Sequence, residues 1–560
     1  MTPENGTTVA VFGAGIAGLT VAHELSRLGY QVSVYESGPE AGGFFRSGRQ
    51  PGSGMPTEFS WHGMGPWYHN VFDLLRQIPF DAQGSIFDRA LSRPIDFGIF
   101  PDDAPARFYD RGPRSIPGMF RWSGGEFCRW AWLMLKTWTA HRRTREAYAR
   151  RNAAEAWRSR LRPTGYRTWR ACFGPWIGSD WSKVSLHTAG QFFCKQLTTR
   201  PAHHHPADQE GPAWSHGAGD GWLLFRGPSS EFWFDRWTAD LRARGVALHF
   251  SSSLHQLGFD GRQVTGARLE DGTAVVADRY VLAINPFATA DILDRTPTLQ
   301  SVEQLRLFRP LVQDGPHTQV SFRLAFAEPV KFPRARTAVV VADSPFNLTL
   351  FAEEQVWKPE VPLGAGVESL WTGTSCIGTE PGIIHGRPVN RCTKEQYIEE
   401  VLAQIARCGA LDDMIREANG GRGLVDFPIR RVEVWHEWKF SPDGIRPLQP
   451  KWVNTITTQP NQPGQQTPVP NLFLAGAHTR TAADVWSIEG AVESGRRAAR
   501  LIDDRVGVRP QHHPALLRLI GWLDDCCYRI GAPHVLDVAA GGILFAVLLA
   551  VVDGFWSDWP

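Results

Sequence analysis

The chain has 560 residues, with 59 Lys+Arg against 57 Asp+Glu and a formal charge of +2. Its 42% hydrophobic and 21% charged residues describe a folded chain of roughly two to four structural units, neither disordered nor fibrous. The near-neutral balance excludes the basic footprint of a nucleic-acid binder. Eight cysteines include the adjacent pair Cys526–Cys527 and no CxxC spacing. That usage fits a reducing compartment and offers neither a disulfide framework nor a cysteine zinc site, so no metal is expected. The oddity is 23 Trp beside only 9 Tyr.

The N-terminus lacks a basic n-region and a cleavage pattern, so a first strand rather than a signal peptide is expected there. Thr8–Phe12 is a short β-branched run suited to a buried parallel strand. Gly13-Ala14-Gly15-Ile16-Ala17-Gly18 follows, then a helix-period stretch from Leu19 to Leu28 closed by Gly29. A second strand, Gln31–Tyr35, ends at Glu36, 18 residues after Gly18. This order of strand, glycine turn, helix, strand and acid is what a dinucleotide phosphate site needs. Gly13 makes the tight turn, Gly15 lets the backbone approach a pyrophosphate, and Gly18 lets the helix pack on the sheet. The helix N-terminus faces the negative charge, and Glu36 can bind ribose hydroxyls.

Residues 61–214 are aromatic and Arg-rich, with a long helical stretch predicted over Glu126–Arg160. Strand patterns resume at Gly245–Phe250, Gln263–Leu269 and Ala274–Ala283, with Asp271-Gly272 as a hairpin turn. Further on come a strand at His317–Phe326, a helix at Thr393–Arg407, a buried strand at Asn471–Gly476 and a helix at Ser487–Asp503.

Three more segments extend the dinucleotide signal through resemblance. Gly42-Gly43-Phe44-Phe45-Arg46-Ser47 resembles the second glycine doublet of the flavin amine oxidase and carotenoid (phytoene-type) desaturase superfamily. Asn471–Ala499, NLFLAGAHTRTAADVWSIEGAVESGRRAA, resembles that superfamily's C-terminal FAD motif, and Gly221–Ala283 its central FAD-domain portion. The resemblance implies an α/β fold in which a Rossmann-like FAD-binding domain is assembled from discontinuous segments. An inserted α+β substrate domain and a C-terminal helical apolar tail complete it. The boundaries are 1–60, 215–290 and 425–505 for the FAD segments, 61–214 and 291–424 for the substrate-facing parts, and 506–560 for the tail.

Carried onto this chain, the resemblance implies that Gly13, Gly15, Ile16, Ala17, Gly18 and Glu36 hold the adenosine and pyrophosphate of FAD. Gly42, Gly43 and Arg46 border the pyrophosphate, and Leu254 sits by the adenine through its backbone. Gly476, Ala477, Ser487, Ile488, Glu489 and Ala491 meet the ribityl chain and the flavin pyrimidine edge. Three departures stand out: Phe44 where a basic residue usually follows the doublet, Ala477 where an acid usually stands, and Glu58-Phe-Ser-Trp opening the substrate region.

The resemblance implies hydride transfer from a C–H bond to flavin N5. Amine oxidases of this superfamily use a tyrosine cage and a lysine near N5. This chain has no Tyr between Tyr397 and Tyr528, and Thr318 or Gln319 stands where that lysine is expected. The favoured reading is therefore a desaturase or dehydrogenase on a lipophilic, isoprenoid-like or acyl substrate, with quinone or O₂ as electron acceptor. The alternatives are an amine or amino-acid oxidase releasing H₂O₂, and a flavin-free prenyl-lipid binding protein of the same fold. Catalytic candidates are Trp486, Ser487, His62 and His69.

Phe127–Ala140 is apolar and Trp-rich and precedes arginines from Arg142 to Arg162, which reads either as an interfacial helix on anionic lipid or as a buried helix leading into a solvated one. Val538–Val552 is 15 residues without a charge, short of the ~20 that span a bilayer. It is expected to insert from one side, to pack, or to span. The expected location is cytoplasmic, peripheral to the inner face of the membrane. His203–His205 and His216 read as solvated loop histidines.

Overall fold

The computed structural model describes residues 6–60, 62–92, 97–108, 116–178, 181–198, 222–333, 338–442, 444–511 and 513–543. Trp61, His203–His205 and His216 lie outside them, as does the run after residue 543.

A five-stranded parallel sheet is built from three distant segments, in the order Leu472–Leu474, Arg279–Leu282, Thr8–Phe12, Gln31–Tyr35, Ala247–His249. Its strands are short and apolar because helices cover the sheet. One of them, Ile16–Arg27, packs against the helix Ile488–Ile502 so closely that a Cβ at Gly495 would lie 2.6 Å from the Ala17 carbonyl oxygen. That contact brings the first glycine turn and the last sequence motif together at one end of the sheet.

The predicted elements fall close to their expected places, with shorter strands. The stretch Ala274–Ala283 is two strands, Ala274–Val275 and Arg279–Leu282, the first paired through the Asp271-Gly272 turn to Val264–Leu269. The 317–326 strand begins at Val320.

A seven-stranded sheet forms the second layer, ordered Ile429–Val434, Val320–Phe326, Ser369–Ser375, Leu348–Ala352, Ala338–Val341, Phe97–Phe100, Arg107–Phe108. It joins the two substrate-facing segments, since Phe97–Phe100 pairs in parallel with Ala338–Val341. Ile429–Val434, expected in an FAD segment starting at 425, pairs antiparallel with Val320–Phe326 and so joins the seven-stranded sheet.

The long helix expected over Glu126–Arg160 is four short pieces: Gly124–Trp138, Arg142–Glu146, a 3₁₀ turn at Tyr148–Arg150, and Ala153–Arg158. Polar side chains divide them. The Thr139 hydroxyl donates back to the Leu135 carbonyl at 2.6 Å, and Asn152 caps the last piece by accepting from the Glu155 amide. The helix Gly124–Trp138 turns one face, Trp130, Leu133, Met134 and Thr137, into the core. Trp130 packs with Trp122, Trp169 and Phe193 at ring-centroid distances of 5.4–5.7 Å, while Trp132 stays partly exposed.

The C-terminal helix Ala515–Arg529 lies on this layer through Arg143, which pairs with the fully buried Asp524 at 3.0 Å. Among the described residues no helix is long and apolar enough to cross a membrane.

Candidate active site

A cavity of about 670 Å³ runs from Glu36 and the first glycine turn to Trp486, between the two sheets. At its first end, Glu36 accepts from the Ala14 amide through one carboxylate oxygen and from the Gly38 amide through the other, both at 2.8 Å. The helix Ile16–Arg27 starts there with no side-chain cap and no acid in its first turn. Its amides are left for a bound anion.

The glycines explain the shape. Gly13 sits at φ +105°, and a Cβ at Gly18 would lie 1.9 Å from the Gly13 carbonyl oxygen. A Cβ at Gly15 would meet nothing within 4 Å. Gly18 therefore serves the packing of helix on turn and Gly15 serves the space in the cavity. Gly15→Val is expected to keep the fold, seen as an unchanged far-UV spectrum. It should weaken FAD binding at least about tenfold, read from flavin absorbance after dialysis.

Gly42, Gly43 and Arg46 line the same wall. The Arg46 guanidinium is held by Glu437, by Gln449 at 2.9 Å and by the Gly43 carbonyl at 2.8 Å. Gly476, Ala477, Ser487, Ile488 and Ala491 also line it, and Ser487 caps the helix Ile488–Ile502 by accepting from the Gly490 amide at 3.1 Å. Beside Ala477, the His478 ring lies near Phe308 and Trp452, and burial pushes it down to about 3. A neutral imidazole thus follows the position where an acid was expected.

Four expected site residues are not on the wall: Gly18, which serves the helix packing, and Leu254, Glu489 and His69. Leu254 is buried at the start of the strand Leu254–Phe259, in the core cluster beyond the sheet. Glu489 turns away from the cavity to accept from the amides of Asn70 and Val71, both at 3.0 Å, and from the Gln511 side chain at 2.8 Å. Burial pushes it up to about 7 against those donors. His69 begins the helix His69–Leu75.

His62 is on the wall but is occupied structurally. Its Nδ1 meets Glu58 and its Nε2 the Phe44 carbonyl, both at 3.1 Å, and its ring stacks on Phe45. Glu58 in turn lies 3.4 Å from the buried Arg323 of the substrate sheet. This chain of contacts fixes Phe44 at the cavity wall and leaves neither imidazole nitrogen for acid–base work.

The residue that sequence reasoning missed is Lys451. It is buried in the segment Leu448–Trp452 and lies opposite Gln319, the position where a strand lysine was sought. Its Nζ donates to the Gly178 carbonyl at 2.5 Å and to Gln319 Oε1, and it stands 4.4 Å from the centre of the Trp486 ring. Burial pushes it down to about 7, only slightly opposed by Cys376. The available signal was one lysine between Pro450 and Trp452, a type almost never fully buried unless it is used. Around it the chamber wall is apolar and aromatic: Phe44, Phe59, Trp67, Phe192, Trp222 and Trp486.

Residues 16–503 match the family model described as flavin containing amine oxidoreductase. The chain belongs to that family. It is an FAD-dependent oxidoreductase, and the alternative of a flavin-free lipid binder is set aside. The open space at Gly15, the uncapped helix end and Glu36 are a cradle that fits FAD. No curated protein matches the chain. Among solved structures, it is similar to putrescine oxidase bound to putrescine, at 12% identity and a TM-score of 0.57, with 89% of this chain and 99% of that one covered. Cyclohexylamine oxidase from Brevibacterium oxydans matches at 14% identity and a TM-score of 0.55, with the same coverage. An oxidoreductase from Methanosarcina mazei matches at 14% and 0.55, over 87% and 98% of the two chains. These likenesses concern the fold.

Proposed function

We propose that this oxidoreductase dehydrogenates a lipophilic, isoprenoid-like or acyl substrate, with quinone or O₂ as the electron acceptor. One observation carries the reading. The chamber at the Trp486 end is walled by aromatic rings, and the ionisable group beside Trp486 is an amine, Lys451, rather than a carboxylate. A neutral Lys451 amine offers an alkylammonium substrate no counter-charge, and once protonated below about 7 it carries the same charge, whereas a hydrocarbon chain needs no such partner.

FAD, when bound, supplies a hydride acceptor at N5. Making a double bond also releases a proton from the adjacent carbon, and Lys451 is placed to take it. As a neutral amine it donates its two protons to Gly178 and Gln319 and keeps its lone pair. The Trp486 amide donates to Asn454 Oδ1, which fixes the backbone that carries this ring at the chamber.

The exposed apolar residues Leu516, Leu519, Trp522 and Ile530 on the C-terminal helix and just after it support peripheral attachment to the inner face of the cytoplasmic membrane. The second reading, an amine or amino-acid oxidase, draws on the fold neighbours. A peroxide assay over a panel of aliphatic amines and amino acids separates the two. The dehydrogenase reading expects no turnover above background; rapid peroxide release with any amine would replace it by the second.

A further inference from the structure

A second cavity of about 530 Å³ lies away from the cofactor cradle, between the helices Arg142–Glu146 and Leu186–Thr198 and the loop that carries Asp484. Three cations line it, Arg142, Arg145 and Lys195, against two carboxylates, Glu146 and Asp484. Both carboxylates are already committed. Glu146 pairs with Arg142 at 2.7 Å, and Asp484 with His187 at 3.1 Å.

The other two cations are not matched. Lys195 is only 4% exposed, and its Nζ bonds to a neutral acceptor, Gln191 Oε1, at 3.1 Å. Among the described residues it has no carboxylate within ion-pair distance. Burial lowers its proton affinity, with Asp484 opposing from farther away. Arg145 makes no hydrogen bond or ion pair among the described residues. Desolvation works against a buried ammonium that makes no direct ion pair, and an anion entering this cavity would add to what Asp484 and Glu493 supply from a distance.

We propose that this cavity is a binding site for a phosphate-bearing ligand, held by Lys195 from the buried wall and Arg145 from the rim. A tetrahedral oxyanion presents acceptors in several directions, which suits donors arriving from two helices. The cavity is also larger than a bare ion needs. Two sources supply this chemistry: a soluble phosphate and a phospholipid headgroup. The rim is continuous with the C-terminal helix, since the Arg142 amide donates to Asp525 at 2.8 Å, and the outer face of that helix carries Trp522 at 60% exposure.

The site is joined to the cofactor cavity by chain continuity. Asp484 stands in the left-handed region at φ 55°, two residues before Trp486. Burial works to raise Asp484, but His187, Lys195 and Arg145 hold it down at about 2. A ligand that takes up Lys195 and Arg145 changes what holds that strained residue, so ligand and cofactor affinities are expected to be linked reciprocally.

The test uses the FAD-loaded full chain in two arms: calorimetric titration with inorganic phosphate, and sedimentation with vesicles of phosphatidylglycerol or of phosphatidylcholine alone. Each is repeated with Lys195→Met and with Arg145→Ala, the latter at an exposed position where folding is not at stake. Saturable phosphate binding weakened about tenfold or more by both substitutions supports the site with a soluble ligand. Binding to phosphatidylglycerol vesicles alone, weakened by both, supports it with a lipid headgroup. Absence of binding in both arms, or binding that Arg145→Ala leaves unchanged, overturns it.

Discussion

Replacing Lys451 by methionine is expected to slow turnover by about 10²–10⁴-fold, the range for loss of a positioned general base. Lys451 has its two donor protons placed by Gly178 and Gln319, and burial has brought it down to about 7. Below that pH the amine holds an extra proton and has no lone pair to offer. Above it the base is free. The wild-type kcat/KM should therefore rise with pH through about 7 and level off, and the Lys451→Met profile should lose that limb. The change in profile separates a catalytic loss from a structural one, because a packing defect would scale the whole curve without altering its shape. The same shift acts on stability. Since the folded value lies below the ordinary lysine range, the folded chain holds fewer protons than the unfolded one between about 7 and that range. The burial cost is full below about 7 and is relieved as pH rises.

The second large effect is expected at Arg496, which is 1% exposed in the helix Ile488–Ile502. It reaches Glu24 on the first helix and Asp73 on a third, both at 2.8 Å, and Asn70 at 3.3 Å. Burial of such a charged group adds little by itself, but removing the cation leaves the buried Glu24 without its ion pair, while Asp73 keeps Arg509 at 2.6 Å. Arg496→Met is expected to lose about 3–5 kcal/mol, read as a lowered unfolding midpoint of the FAD-loaded protein. Neutralising the partners as well, in Glu24→Gln/Asp73→Asn/Arg496→Met, should recover part of that loss. If the triple variant were as unstable as the single one, the uncompensated charge at Glu24 would not be the cause.

The cofactor half of the molecule was readable because its requirements are local. Gly13 answers a positive φ and Gly18 a close approach to the Gly13 carbonyl oxygen within the same turn, Gly15 leaves open space in the cavity, and Ser487 caps the helix it begins. The motif at 471–499 carries the complementary wall on one continuous segment. The chemistry half was not readable for the opposite reason. Lys451 acts through Gln319 and Gly178, 132 and 273 residues away, and no spacing rule links such positions. Glu489 and His69 lie next to true wall or cap positions in sequence, but the turn of a helix points them elsewhere. The tryptophans divide between two places. Trp222 and Trp486 do line the chamber, while Trp122, Trp130, Trp157 and Trp169 belong to an aromatic core beside it. The arginines after residue 141 looked like one basic helix face. Capping by Asn152 and the pairing of Arg143 with Asp524 turn them in different directions.

The most direct test of the account is anaerobic mixing of the FAD-loaded protein with candidate substrates, following the flavin absorbance. A saturated isoprenoid or acyl chain delivered in detergent should bleach the flavin in the wild type and do so far more slowly in Lys451→Met, while aliphatic amines leave the spectrum unchanged. Bleaching by amines alone, at equal rates in both proteins, would contradict the lipophilic chamber and the role of Lys451 together.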